Sequence, residues 1–526
     1  MSFQVYGQVT KTARTTGPAG DRLWSVAGDW VPSGVPASVD DVIIPTGITM
    51  RVDQDNRVTR DVTVEGLLII QDQRELQVNR NLVLNGTIRM DDNGNIESLG
   101  LVMAGAGGQL SGTGTFSTAV PINSGNTNPL FIFNNNVTVL ASANLSFSCT
   151  CSGTNYTNLV RINNNFTVTN IGRVTINKSL VAQNTNSRWN NSASTSYLNV
   201  FEGMLPVPGS PGSLGLLDAA TVGNTVEYGG TANQTVITPI SSVYHHLILS
   251  GSGTKTTAAT MAANGNLSVS SILNLNGNNI SVGGNWTNTG SFQAGSGSST
   301  VQLTGSTDQT ITNSSGEIFN NLTVSKAGGL VLLNNPVQVN GTLNLTNSRI
   351  NTQNSILTLG ASTSQTGTLT TSGTSYIIGT FERWINTVLA NTTFPLGTAT
   401  GDLRTMVVNL NLLGSGGSLQ AQFFAQNPGG ISNPPLVDNG FNINNTHPNG
   451  FWRLTNLNGL SSSQYDVFAT GGGFTAFPAG VTVDTRMVSR SVGTSTWTAN
   501  GAHDVSSFVS PTVRREDLSI LPVDLA

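Results

Sequence analysis

Charge is what this chain has least of. Only 10% of its 526 residues are Asp, Glu, Lys or Arg, well below the roughly 25% usual in soluble domains. Solubility therefore falls to Asn, Thr, Ser and Gly. The 23 basic residues are dispersed and the formal net charge is −4 at pH 7, which excludes the concentrated positive footprint of a nucleic-acid binder. The only two cysteines, Cys149 and Cys151, are too few for a disulfide framework. Two apart on one strand, they point the same way with Cα atoms about 6.5–7 Å apart, at the upper edge of disulfide geometry. Stacked buried thiols are the first reading and a strained local disulfide the second, while a metal site lacks further ligands nearby. No apolar run approaches the roughly 18 residues of a spanning helix, and helix formers are scarce. Met1-Ser2-Phe3-Gln4-Val5 lacks the basic and apolar regions of a signal peptide. Either the chain is cytosolic or its export signal has been removed, and the Thr/Asn/Gly-rich composition favours export.

What is abundant is a short phrase repeated with drift between Leu67 and Gly360. An Asn/Gly corner precedes a few alternating apolar and small polar residues, as in Asn85-Gly86-Thr87-Ile88, Asn136-Val137-Thr138-Val139, Asn266-Leu267-Ser268-Val269 and Asn321-Leu322-Thr323-Val324. Alternation with period two marks half-buried strands, and the corners recur every six to ten residues. The 59 glycines and many asparagines supply the turn conformations such corners require. A recurring strand-and-corner unit predicts stacking, in which each unit buries its apolar face against its neighbours. Three strands would close a coil of about 20–25 residues, giving a rod on the order of 60–70 Å at the inter-strand spacing. Corner asparagines are expected to share hydrogen bonds between coils.

The predicted architecture is all-β: a right-handed parallel β-helix, or β-solenoid, with an N-terminal cap and a C-terminal antiparallel β-sandwich. Residues 1–60 are expected as the cap and first coil, with Trp24 and Trp30 plugging the open end and Val42-Ile43-Ile44 as the first strand. Aromatics in such a segment are more often packed than sugar-stacking. Residues 61–375 form the helix, with a loop excursion near 203–215 where Pro206, Pro208 and Pro211 interrupt the pattern. Beyond Tyr376 charge and aromatics return and strands lengthen, which predicts a sandwich over 376–512. Residues 513–526 are expected as a linker tail.

Three stretches resemble the large repetitive surface and secreted proteins of Bacteroidetes-type bacteria that leave the cell by type IX secretion. Trp24 to Pro45 is similar to the opening motif of their right-handed β-helices, and Leu273 to Gly290 resembles their repeat phrase. Gly379-Thr380-Phe381-Glu382-Arg383, Phe394-Pro395-Leu396-Gly397-Thr398 and Phe451-Trp452-Arg453-Leu454 look like the sandwich that often follows. Leu521-Pro522-Val523-Asp524-Leu525 fits the segment that commonly precedes their sorting domain, so the resemblance implies that such a domain was cleaved or left out. It also implies an adhesin, a gliding-associated protein or a structural fibre at the cell surface or outside the cell. Implied partners are cell-surface or secretion machinery, glycans, or further copies of the chain.

Candidate chemistry is sparse. Glycan-cleaving β-helices need carboxylates on neighbouring coils with a basic residue nearby. Beyond Glu97 the repeat region carries only Glu202, Asp218, Glu227, Asp308 and Glu317. His245 and His246 are adjacent, so within a strand they would face opposite sides. His447 and His503 read as surface or capping residues. The acidic run around Asp91, Asp92, Asn95 and Glu97 suits a weak calcium site, but Asn93-Gly94 is also a strong hairpin signal flanked by solvated acids, and the turn is the favoured reading. No catalytic residue and no cofactor other than this candidate calcium is expected. The leading expectation is a non-catalytic exported structural or adhesion protein, part of a surface layer or filament. A polysaccharide-binding or polysaccharide-cleaving protein is the runner-up, and ice binding by a Thr/Asn face ranks lower.

Overall fold

The structure, a computed structural model, describes residues 8–16, 20–71, 73–91, 100–118, 131–148, 158–207, 210, 212–295, 299–388, 391–471, 474, 485–507 and 512–526. The fold is all-β, with many parallel sheets. No helix among the described residues is long and apolar enough to cross a membrane. The chain divides into two compact units, Met1–Asn278 and Asn279–Ala526.

In the first unit the chain visits three parallel sheets in rotation. Asp41–Ile44, Thr49–Val52 and Arg57–Thr59 each lie in a different sheet, and the next three strands, Asp61–Val64, Leu67–Gln71 and Glu75–Val78, pair with them in that order. The alternation read in the sequence sets the register. Val42, Val62, Leu82 and Leu110 align in one ladder, all buried, each contributing about 1.5–3 kcal/mol relative to exposure. Further along this ladder two buried amides replace the aliphatics. Asn170 donates to Asn191 Oδ1 at 2.9 Å, and that oxygen also accepts the Trp189 indole N–H at 2.9 Å.

The corners explain the repeated phrase. The side-chain oxygen of Asn136 accepts the backbone N–H of Thr167 in the next circuit at 2.8 Å, and Asn233 does the same for Thr254 at 2.9 Å. A donor left idle where a strand begins is thus satisfied by the preceding layer. Glycine is required at another corner because layers meet backbone to backbone. A Cβ on Gly86 would lie 2.0 Å from the carbonyl oxygen of Gly66, and one on Gly114 would lie 2.2 Å from that of Gly86.

At the N-terminal end Trp24 and Trp30 are fully buried, edge to face at 5.1 Å, with the Trp30 indole N–H donating to Trp24 O at 3.0 Å. The first ladder strand is not Val42–Ile44, however. Thr10–Ala13 pairs parallel beneath it and antiparallel with Trp30–Val31. Its polar sequence hides this role, because buried Lys11 spends its ammonium on the carbonyls of Pro32 and Ser33, both at 3.2 Å.

The second unit continues with parallel ladders, such as Ile280–Val282, Thr300–Leu303, Asn321–Ser325, Thr342–Thr346 and Thr368–Ser372. Arg349–Leu359 pairs with both Val331–Leu333 and Val337–Val339, so two ladders merge in one long strand. Tyr376–Ile385 pairs parallel with it on one edge and antiparallel with Gly417–Phe424 on the other. From there the strands are antiparallel, in a small two-stranded sheet of Leu436–Asp438 and Phe441–Ile443 and in two larger ones. One holds Gly417–Phe424, Phe451–Leu457, Val523–Leu525 and Ser489–Ser491, and the other holds Thr392–Phe394, Met406–Ser415, Ser461–Thr470, Thr512–Leu518 and Ala502–Ser507.

The expected linker over 513–526 is corrected by this pairing. Thr512–Leu518 is an interior strand of one sheet, and Val523–Leu525 lies between Phe451–Leu457 and Ser489–Ser491 in the other.

Candidate functional site

Of the candidate calcium ligands, only Asp91 lies among the described residues, whereas Asp92, Asn95 and Glu97 lie outside them, as do Cys149 and Cys151. Asp91 ends the strand Thr87–Asp91. Its carboxylate accepts Arg89 Nε at 2.7 Å and Arg51 Nη1 at 3.0 Å. Burial pushes its pKa up, but the two guanidiniums outweigh that and hold the carboxyl below its usual range. Two cations already occupy the oxygens that calcium would need.

His245 and His246 do not face opposite sides as expected. The strand begins at His246, so His245 is outside the alternation, and the rings meet edge to face with centroids 4.3 Å apart. His246 Nδ1 accepts the backbone N–H of Asn266 at 3.0 Å. Burial lowers both pKa values, with His246 adding to the effect on His245. His447 stacks on Phe474 at 4.4 Å.

The sparse acids of the repeat region are each engaged separately. Glu202 pairs with Lys178 at 2.8 Å, Asp218 approaches Arg188 at 3.9 Å, and Asp308 accepts the Leu330 N–H at 2.8 Å. Glu317 is buried, one oxygen taking donors from Trp286, Asn288 and Asn313. Glu227 lies in the densest polar row. It accepts the Tyr197 hydroxyl and, at 2.5 Å, that of Ser250, while the Arg173 guanidinium covers the Tyr197 ring at 3.9 Å. Burial, then Glu227, pushes the Tyr197 pKa up to about 12. This row holds a single carboxylate with both oxygens occupied, whereas glycoside hydrolysis ordinarily uses two facing carboxyl groups. Among the described residues no three His, Cys, Asp or Glu side chains converge as a metal site would require.

A concave site lies within the second unit and was not anticipated from the sequence. It is an open cleft of about 620 Å³ lined by residues 333–336, residues 353–356, Thr380 and Gln420, within the size range of ligand sites. Its origin is a mismatch in corner length. Leu332 and Val337 bracket residues 333–336, their partners Asn351 and Leu357 bracket residues 352–356, and the next layer covers the same step from Ile378 to Phe381 with Gly379 and Thr380 alone. The two bulky corners overhang the short one. Gly379 makes the shortcut feasible at φ +99°, where a Cβ would lie 2.2 Å from Thr352 Oγ1. That buried hydroxyl accepts the Thr380 N–H at 2.9 Å and donates to Ile378 O at 3.3 Å, pinning the step.

No curated protein and no solved structure matches the chain. One segment does have a counterpart among protein families. Residues 29–97, which contain the Gly66 and Gly86 corner and the strands from Trp30–Val31 to Thr87–Asp91, match the G8 domain.

Proposed function

We propose that this is a non-catalytic, exported cell-surface or extracellular protein with a structural or adhesive role, built as a right-handed parallel β-helix followed by a β-sandwich and carried by a type IX-like secretion route. The observation that carries the proposal is the chemistry of the outward faces. In the second unit Ser281, Gln302, Thr323, Asn344 and Thr370 align across five strands, uncharged and at least partly exposed, while the adjoining Val301, Leu322 and Leu343 are buried. Such a surface offers many weak hydrogen-bonding sites and no acid–base pair. It suits contact with another hydrated surface better than bond cleavage.

The same rank weighs against ice binding, since side chains of four different types and three lengths break the regular threonine row that alternative needs. Turnover assays test the non-catalytic reading. Incubation of the full chain with neutral and acidic polysaccharides should release no reducing ends or unsaturated products, while immobilised chain should retain cells or polysaccharide-coated beads. Measurable, enzyme-concentration-dependent cleavage would sink the non-catalytic reading.

A further inference from the structure

We propose that the cleft at the Gly379 step is a binding site for an uncharged polyhydroxylated ligand, namely a segment of a neutral oligosaccharide. The proposal rests on the adhesive reading above and supplies its ligand class. None of the residues that line the cleft carries a charge, which disfavours phosphate, sulfate or acidic sugars as ligands. Its polar groups are carboxamides and hydroxyls, which both donate and accept and so match vicinal hydroxyls.

Several of these groups are not used by the fold. The amides of Asn354 and Gln420 have no hydrogen-bond partner among the described residues, and Ser355 Oγ is shielded from solvent without a partner. A buried idle hydroxyl carries a desolvation penalty, which Ser355 would relieve by turning its hydroxyl toward a ligand in the cleft. By contrast Asn334 is spoken for, donating to Thr312 Oγ1 at 2.8 Å and accepting from Gln353 at 3.4 Å, so it holds the wall in place.

Pro336 and Ile356 add a small apolar strip suited to the C–H face of a sugar ring, whereas the Leu333 side chain is buried in the core. An extended peptide is the main competitor, because its backbone also donates and accepts. Peptides commonly dock by adding a strand to a free edge. Here Tyr376–Ile385 and Gly417–Phe424 are paired on both sides, and the part of Arg349–Leu359 left without ladder partners is only residues 352–355, too short an edge for an added strand.

The test is an array of neutral and acidic oligosaccharides probed with the full chain, followed by calorimetric titration of any oligosaccharide bound. Neutral members should bind, and Asn354→Ala, Gln420→Ala and Ser355→Val should each weaken binding roughly five- to tenfold, the effect of one hydrogen bond. Gln302→Ala, on the flat face, should leave it unchanged. Asn354 is exposed, so its variant will fold and keeps the test informative if Ser355→Val does not. Absence of any neutral ligand, or binding indifferent to all three cleft variants, overturns the proposal. Cell or bead retention that survives the three variants would overturn the cleft site and leave the adhesive reading standing. Cleavage of a bound oligosaccharide would instead overturn the non-catalytic reading while leaving the site.

Discussion

Asp524 holds Arg453 with two parallel hydrogen bonds, Nε to Oδ1 at 2.6 Å and Nη2 to Oδ2 at 3.1 Å. Arg490 Nε reaches the same carboxylate at 3.1 Å, and Asp524 is 1% exposed. One carboxylate near the end of the chain thus joins the two strands that flank it. Its loss would leave guanidiniums facing each other in a partly desolvated site, where removing one partner of a buried pair costs about 3–5 kcal/mol. Asp524→Ala should destabilise the second unit by about 3 kcal/mol, the low end, because Arg453 keeps part of its side chain in water. Urea unfolding followed by tryptophan fluorescence provides the check, and an unchanged midpoint would refute the assignment.

Glu317 reverses the usual carboxylate behaviour. It is 3% exposed and faces three neutral donors without a cation. Burial therefore dominates and raises its pKa above the usual 4.5, although the hydrogen bonds oppose it. The native state keeps this proton at a pH where the unfolded chain has lost it. Its stabilising contribution is full below about pH 4.5 and declines as pH rises through the native value. Glu317→Gln retains an oxygen for the three donors and removes the charge. It should flatten that part of the stability profile and raise the melting temperature at pH 7. A lower melting temperature at pH 7 would mean that the ionised form is favoured by the site.

The corner asparagines admit a graded test. In the second unit Asn321 accepts the Thr342 N–H at 2.8 Å, just as Asn279 accepts that of Thr300. Asn321→Ala strands a backbone donor between layers and should cost about 1–2 kcal/mol. Asn321→Asp restores the acceptor and should recover most of the loss. Equal destabilisation by the two variants, measured by denaturant titration, would show that the amide acts through packing instead.

These corners also show what could be read in advance. Period-two alternation and Asn/Gly punctuation are local signals, and they located strands such as Val137–Val139 and Asn321–Ser325 without reference to the rest of the chain. Features that depend on which layers meet were hidden. The cleft arises because residues 333–336 and 352–356 are longer than the corresponding step at Gly379, a difference visible only once the register is known. Val523–Leu525 looks like a tail because its partners lie far back in the chain. His245 and His246 were misplaced by a strand boundary, since alternation says nothing about the residue just outside it. Asp91 was read with its sequence neighbours, whereas Arg51 reaches it from another layer.

Two buried lysines give the last test, and its sign follows from what surrounds them. Lys255 donates to the carbonyls of Gly230 and Ala232 at 2.6 and 3.3 Å, and Lys326 to Thr307 O and Gln309 Oε1 at 2.8 and 2.5 Å. Neither pairs with a carboxylate, so burial lowers both pKa values to about 8, with Asp308 opposing weakly at Lys326. Gln234 and Gln309 satisfy carbonyl pairs in the same way without a charge, the first at Val200 and Glu202, the second at Val282 and Gly284. Between about pH 8 and the unfolded value near 10.5 the unfolded chain binds more protons than the native one, so stability rises with pH across that window. Tyr197, Tyr228 and Tyr465, whose pKa values burial raises, act oppositely above about pH 10, where the unfolded chain ionises first. The melting temperature should therefore climb from pH 8, peak near pH 10 and then fall. Lys255→Gln combined with Lys326→Gln should abolish the climb and keep the fall, whereas a climb that persists in the double variant would place its origin in other groups.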